Sequence, residues 1–286
     1  MHTIEIPQKD LIVEIPSEWD ECTSEQVHFI LGKAFQVING TLSLAEFRIQ
    51  IFVLFTGLKF GPGYHIKQRL GYNAEINERI YLLSEQLCGW IFEKNEQDGF
   101  ELSYQTITNF FPVLLNKYHG PDDLLADITL AEFKQAIAML NDYFETKEDP
   151  DRADLFLNYF IATLYRPKDK SGIKVPFHSY VVEPTLFERV EPWRKQAIAI
   201  WFSYCIKCLQ EEDLVIQGID VNFSALFPSG KANPTTHKRV NLGWAGVVLD
   251  IAESGVFGDA SKTSQTLLYD ILIFLLKKHN DQSKQK

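Results

Sequence analysis

Long apolar runs are missing from this 286-residue chain. The most apolar stretches, Ile49 to Leu58 and Ile271 to Leu276, fall well short of the roughly 20 residues a membrane-crossing helix needs. Cysteine is scarce: thiols stand only at 22, 88, 205 and 208, which argues against the disulfide framework of a small secreted domain and fits reduced thiols in a cytosol. Positive charge is the minority sign, with 28 Lys plus Arg against 38 Asp plus Glu and a formal net charge of −10, and this disfavours a nucleic-acid binder driven by phosphate neutralisation. The opening Met1-His2-Thr3-Ile4-Glu5-Ile6-Pro7 has neither a basic leader nor an unbroken apolar stretch. No signal peptide is therefore expected, and the expected compartment is the cytoplasm.

Catalytic signatures are absent too. Cys205-Ile206-Lys207-Cys208 has the spacing of a redox or zinc pair. Zinc needs a second pair, however, and Cys22 and Cys88 are solitary; a redox pair favours a helix N-terminus, and this one falls late in its predicted helix. Ser229-Gly230-Lys231-Ala232 resembles the end of a phosphate loop, but Ala225 replaces the earlier glycine and Ala232 the magnesium-binding hydroxyl. The seven histidines are dispersed, without a His-Glu-x-x-His string or a Gly-x-Ser-x-Gly elbow. No catalytic residue, metal ligand or cofactor site is expected.

What the sequence does contain is helix punctuation. With 45% hydrophobic and 23% charged residues the chain has the balance of a folded protein. Alternation through Ile4 and Ile6, then Leu11, Val13 and Ile15, predicts an edge hairpin flanked by Pro7 and Pro16. Thr23-x-x-Gln26, Ser43-x-x-Glu46 and Thr129-x-x-Glu132 have the capping-box form and predict three helix starts, the first with Val27, Ile30, Leu31 and Ala34 on one face. A long helix is predicted over 73–94 through Ile76, Ile80, Leu83, Leu87 and Ile91, and a short strand over 100–108. Further helices are predicted over 152–165, from Pro192 through Ala197, Trp201, Cys205 and Leu209, over 242–254, and over 261–279, with Gly255 ending one helix and Asp259 capping the next. No period is legible between 167 and 190. The expected fold is mainly α with a small β component: an N-terminal domain over 1–165, an irregular connecting segment over 166–190 and a C-terminal helical bundle over 191–286.

Two surfaces are candidates for interaction. Lys168, Lys170 and Lys174 lie in one irregular stretch and Lys231, Lys238 and Arg239, with His237, in another, where together they would suit an acidic partner or a phosphate backbone. The last helix carries Leu267, Leu268, Ile271, Leu272 and Leu275 on one broad face, which suits either core packing or a partner's groove.

Three stretches have a combination seen elsewhere: Ile15-Pro16-Ser17-Glu18-Trp19; Tyr118-His119-Gly120-Pro121 leading to Asp127-Ile128-Thr129-Leu130-Ala131-Glu132-Phe133; and Ala162-Thr163-Leu164-Tyr165-Arg166-Pro167. With Gly243-Trp244 and Gly255-Val256-Phe257-Gly258, they resemble uncharacterised proteins of tailed phages and prophages of Bacteroidetes-type bacteria. The resemblance implies a tail-assembly chaperone or other morphogenesis factor, acting in the bacterial host cytoplasm on a tape-measure or tail component. The chain departs from other tail chaperones in its length and in having no visible frameshift fusion. The expected function is a non-enzymatic assembly factor that binds a helical structural protein. The alternatives are a virion subunit such as a connector, and an enzyme or nucleic-acid-binding factor using the basic loops.

Overall fold

The computed structural model describes residues 1–6, 11–95, 99–179, 182–216, 218–227 and 251–283. They form mainly helix with short antiparallel ladders, the expected class. Two compact units divide the chain between Thr106 and Ile107, so the segment 166–190 lies inside the second.

The first unit opens on the anticipated hairpin, β1 (His2–Ile6) against β2 (Leu11–Ile15), in a register running from His2 opposite Ile15 to Ile6 opposite Leu11. Ile15 is buried and Ile12 exposed, as alternation on a one-sided ribbon requires. Trp19 then anchors the chain. Its ring meets Trp90 and Tyr104 edge-on at 5.1 and 4.8 Å, its Nε1 donates to the Ser103 carbonyl at 2.6 Å, and the Trp90 Nε1 donates to the Pro16 carbonyl at 3.1 Å. Helices α1 (Ser24–Ile38) and α2 (Leu44–Thr56) each begin at the predicted capping box, and the four apolar positions read for α1 are all buried. Gly57, at φ +63, supplies the left-handed residue that ends α2.

Beyond a short helix α3 (Pro62–Arg69) lies α4 (Ala74–Cys88), and here the sequence reading needs correction. The helix expected over 73–94 stops at Cys88; residues 89–91 tighten to a 3₁₀ turn, and Phe92–Lys94 becomes β3, paired with β4 (Phe100–Leu102). Gly89 favours helix poorly. Phe92 gains more from the ladder, where it sits opposite Leu102 and edge-on to Phe47 at 5.2 Å. The strand expected over 100–108 is correspondingly short, because Tyr104 turns to Trp19 and the Thr106 hydroxyl donates to Asp20 at 2.7 Å.

The second unit is a helical assembly beside a three-stranded ribbon of β5 (Val113–Leu114), β6 (Tyr118–His119) and β7 (Arg166–Pro167). Helix α5 (Leu130–Glu145) packs on α6 (Pro150–Leu164), and α6 on α7 (Pro192–Glu211), around Phe133, Phe160, Phe202 and Trp201. Asp149 caps α6, and Pro150 takes the first helical position, where its missing N–H costs nothing. A hairpin that sequence reading did not anticipate, β8 (Asp213–Ile216) and β9 (Ile219–Asn222), turns through Gly218 at φ +78. The helix expected over 242–254 lies largely outside the described residues. The one expected over 261–279 is two, α8 (Ala260–Gln265) and α9 (Leu268–Ser283). The break arises because the chain leaves helical geometry to meet α5: Leu130 N donates to the Thr266 carbonyl at 3.0 Å and Leu268 N to the Ile128 carbonyl at 2.9 Å. Leu268, Ile271 and Leu272 are buried, so the α9 face is core there, while Leu267, in the break, is exposed.

Gly120 allows a close approach. A Cβ built there would stand 2.6 Å from the ring of Tyr165, which is fully buried and donates its hydroxyl to the Phe111 carbonyl at 2.7 Å. Gly120→Ala is expected to overpack this contact and cost about 1–3 kcal/mol, read as a lower urea midpoint with unchanged slope. An unchanged midpoint would show that the ring moves freely.

Candidate functional site

Two of the stretches that carry the resemblance, 118–133 and 162–167, meet within the second unit, while Ile15–Trp19 lies in the first and Gly243-Trp244 outside the described residues. Tyr118 pairs with Pro167 and His119 with Arg166 across the ribbon, and Gly120 lies under Tyr165. At the start of α5 the Glu132 carboxylate is shared. Its Oε2 accepts from the Thr129 amide and hydroxyl, both at 2.8 Å, closing the capping box, while Oε1 accepts from Arg166 Nη2. Arg166 is buried and donates also to the Val175 carbonyl at 2.7 Å and the Thr163 carbonyl at 2.8 Å, with the Phe177 ring 5.6 Å from its guanidinium. Every one of these contacts is internal, so the constellation holds elements together.

The loop lysines divide. Residues 168–174 form a tight turn in which Lys168 bridges Lys174 and the Asp169 carboxylate accepts from the Ser171 and Ile173 amides at 2.8 and 3.0 Å. Lys168 and Lys170 are exposed, but Lys174 Nζ meets Asp127 Oδ2 at 2.6 Å. One of the three cations is therefore held by the fold. Lys231, Lys238 and Arg239 lie outside the described residues. Beside the turn is a cleft of about 450 Å³ with Ile173, Pro176, Phe177 and Ala131 in its walls and the Glu132–Arg166 pair in its lining.

His119 senses this environment. Partial burial first, then the Lys168 and Lys174 charges, hold its imidazole below the usual histidine range. Its protonation is thus less favourable in the folded chain than in the unfolded one; above the ordinary value it has no effect, and as pH falls through its own lower value stability is lost. Lys168→Met is expected to raise the His119 pKa in an NMR titration, and an unmoved pKa would contradict the assignment.

Lys195 supplies a second internal network that sequence reading missed. Its buried ammonium reaches Asp154 Oδ1 at 2.5 Å and Asn158 Oδ1 at 2.8 Å, tying α7 to α6. All four thiols are buried, and burial raises each pKa, to about 12 for Cys22 and Cys88. Cys205 and Cys208 therefore occupy the core stripe of α7 as neutral thiols. Among the described residues no group of three or more His, Cys, Asp or Glu is placed to hold a metal ion, and no helix is long and apolar enough to cross a membrane.

The surface that stands out is α3 with the exposed side of α4, in the first unit. No residue of α3 is buried. The helix is tied to α4 by polar contacts: Tyr64 Oη donates to Asn77 Oδ1 at 2.6 Å, Asn73 Nδ2 to the Tyr64 carbonyl at 2.8 Å, and Asn77 Nδ2 to Gln68 Oε1 at 2.8 Å, with Phe60 stacked on Tyr64. Tyr64 and Gln68, one turn apart, thus face α4. Ile66 and Leu70 project from the opposite side, about 200° around the helix, and are 60% and 63% exposed. Tyr72 is 75% exposed, and on α4 Ile76, Leu82 and Leu83 are exposed as well. Isolated helices shorter than about 12 residues are marginal in water; this one lacks even a side-chain cap. From Leu58 to Ala74 the chain carries Lys59, His65, Lys67 and Arg69 and no acid, whereas α4 carries Glu75, Glu78 and Glu85 against Arg79. Sequence reading missed this surface; the signal open to it was a basic, acid-free interval with apolar residues four apart, inside an acidic chain.

No family model matches the chain, and no curated protein or solved structure matches it either.

Proposed function

We propose that the chain is a non-enzymatic assembly factor that binds a helical structural protein, acting in the manner of a tail-assembly chaperone for a tape-measure or tail component of a tailed phage or prophage. The observation that carries the protein-binding part is the outward side of α3, where Ile66, on a helix with no buried residue of its own, and Leu70, at its C-cap, lie in water, with the exposed Tyr72 in the turn that follows. Large apolar side chains grouped in this way mark protein-interaction sites, and an exposed helix with anchors four residues apart matches helix-on-helix docking. The resemblance of the 15–19, 118–133 and 162–167 stretches to phage proteins supports the setting. Those stretches build internal joints, which fits a scaffold that presents a surface.

Co-expression with the proteins encoded beside it tests the reading. The chain is expected to co-elute with one of them, and Ile66→Asp with Leu70→Asp to abolish the complex while leaving the circular dichroism spectrum unchanged. Free chain alone, or a complex indifferent to both substitutions, would contradict it. Stoichiometric presence in purified particles would make the chain a virion subunit and retire the chaperone role.

A further inference from the structure

We propose that the turn 168–174 is a hinged flap on the cleft of the second unit, latched by Lys174 on Asp127 and released by mild acid. The inference is independent of the α3 surface.

The turn is a closed unit with one polar attachment among the described residues. Residues 168–173 are all exposed. The hydrogen bonds of Asp169, Ser171, Gly172 and Ile173 close within the turn: Asp169 N donates to the Ile173 carbonyl at 2.8 Å, Gly172 N to the Asp169 carbonyl at 3.1 Å, and the Asp169 carboxylate accepts from the Ser171 and Ile173 amides. Val175 N donates to the Pro167 carbonyl at 3.0 Å and closes the neck. Lys174 reaches out of the turn. Its side chain is 12% exposed, and its Nζ meets Asp127 Oδ2 at 2.6 Å and donates to the Gly120 carbonyl at 3.4 Å. Asp127 Oδ1 accepts from the Asp122 amide at 2.8 Å, so the carboxylate is held in place independently of the lysine. Ile173 and Lys174 both stand in the cleft wall, opposite no covalent support beyond the neck, so a turn freed at Lys174 carries that wall away and widens access to the Glu132–Arg166 pair.

The latch holds only while Asp127 is a carboxylate, and the groups around it weaken it together as pH falls. His119, on β6, is held below the usual histidine range by burial and then by Lys168 and Lys174; its proton, once taken, sets a cation beside both lysines. Asp122 is raised above the usual carboxylate range by burial first and then by Asp127, with Lys174 and Lys168 opposing the rise. Its protonation relieves the repulsion from Asp127, which favours the 122–127 turn, but it also withdraws a negative charge that attracts the two lysines, which works against the latch. The two shifts converge on one window, between the ordinary carboxylate and histidine values of about 4 and 6.5. Closure is therefore complete near neutral pH and lost on the acid side. The remaining charged groups leave this sign unchanged. Asp123 stands beside Asp122, the Asp169 carboxyl is held low by the Ser171 hydroxyl and the Ile173 amide and keeps its charge within the turn, Lys170 is exposed, and Glu132 and Arg166 neutralise each other in the cleft lining, which His178 shares.

Backbone ¹⁵N relaxation on the full chain, above and below this window, is the test. At about pH 7.5 the amides of 168–174 are expected to be ordered, with order parameters of about 0.85, and at about pH 5 to fall below about 0.6 while the helices keep theirs. Asp127→Asn keeps an oxygen for the Asp122 amide and removes the charge. It is expected to free the turn at the higher pH, as is Lys174→Met, with the circular dichroism spectrum unchanged in both. A turn equally ordered on both sides of the window would overturn the proposal, and so would one that stays ordered in both variants. Mobility that spreads to core amides such as those of Phe133 and Phe202 would overturn it as well, because that is acid unfolding of the unit and not release of a flap.

Discussion

Arg166→Ala is expected to destabilise the second unit by about 3–5 kcal/mol, the cost of removing one partner from a buried ion pair. Arg166 and Glu132 side chains are 2% and 1% exposed. Removing the guanidinium would leave the carboxylate in a low-dielectric site with only the Thr129 donors, and would strip the Val175 and Thr163 carbonyls of their donor. The damage is asymmetric: a buried unpaired charge costs several times what the intact pair contributes. Replacing both residues by methionine is therefore expected to cost less than Arg166→Ala alone, although the capping box at α5 goes with it. Urea denaturation followed by circular dichroism reads both variants. A loss below about 1 kcal/mol for the single variant would mean that water reaches Glu132.

Trp201→Ala is expected to cost a similar amount, about 3–5 kcal/mol, by a different mechanism. The ring is 1% exposed, at the middle of the α7 stripe formed with Ala197, Cys205 and Leu209, and its Nε1 donates to the Ile107 carbonyl at 3.2 Å. Protein interiors are close-packed and relax only in part around a deleted side chain, so the cavity left by so large a ring is not expected to collapse fully. Trp201→Phe keeps part of the volume and loses the hydrogen bond, and is expected to fall between wild type and alanine. Equal effects from phenylalanine and alanine would show that the hydrogen bond, and not the packing, dominates.

The elements that sequence revealed well are those whose cause is local. At a helix start, a hydroxyl three residues before Glu or Gln finds its partners within the first turn, and the helix starts at Thr23, Ser43 and Thr129 stand where spacing placed them. The α1 and α7 stripes likewise follow from periodicity on strongly amphipathic or buried helices. The misreadings share a non-local cause. Apolar spacing alone would carry α4 through Ile91, but Phe92 is drawn into a strand by Leu102, and Thr266 is pulled out of helix by Leu130. The candidate site was the least legible part. Ile76 and Leu83 have the same spacing as buried Leu87, and nothing in the spacing says which of them a neighbouring helix will cover. Of the basic loop, sequence showed the charges but not that Asp127 would hold Lys174.

The central claim is that the outward side of α3 exists to be covered. Amide hydrogen exchange over Pro62–Arg69 tests it most directly, compared between the dilute chain as a monomer and the chain assembled with its structural partner. With no buried side chain to support it, α3 is expected to exchange fast in the monomer and to become strongly protected on assembly, together with the α4 residues near Ile76 and Leu83. Equal exchange in the two states, with protection appearing elsewhere in the chain, would contradict the account.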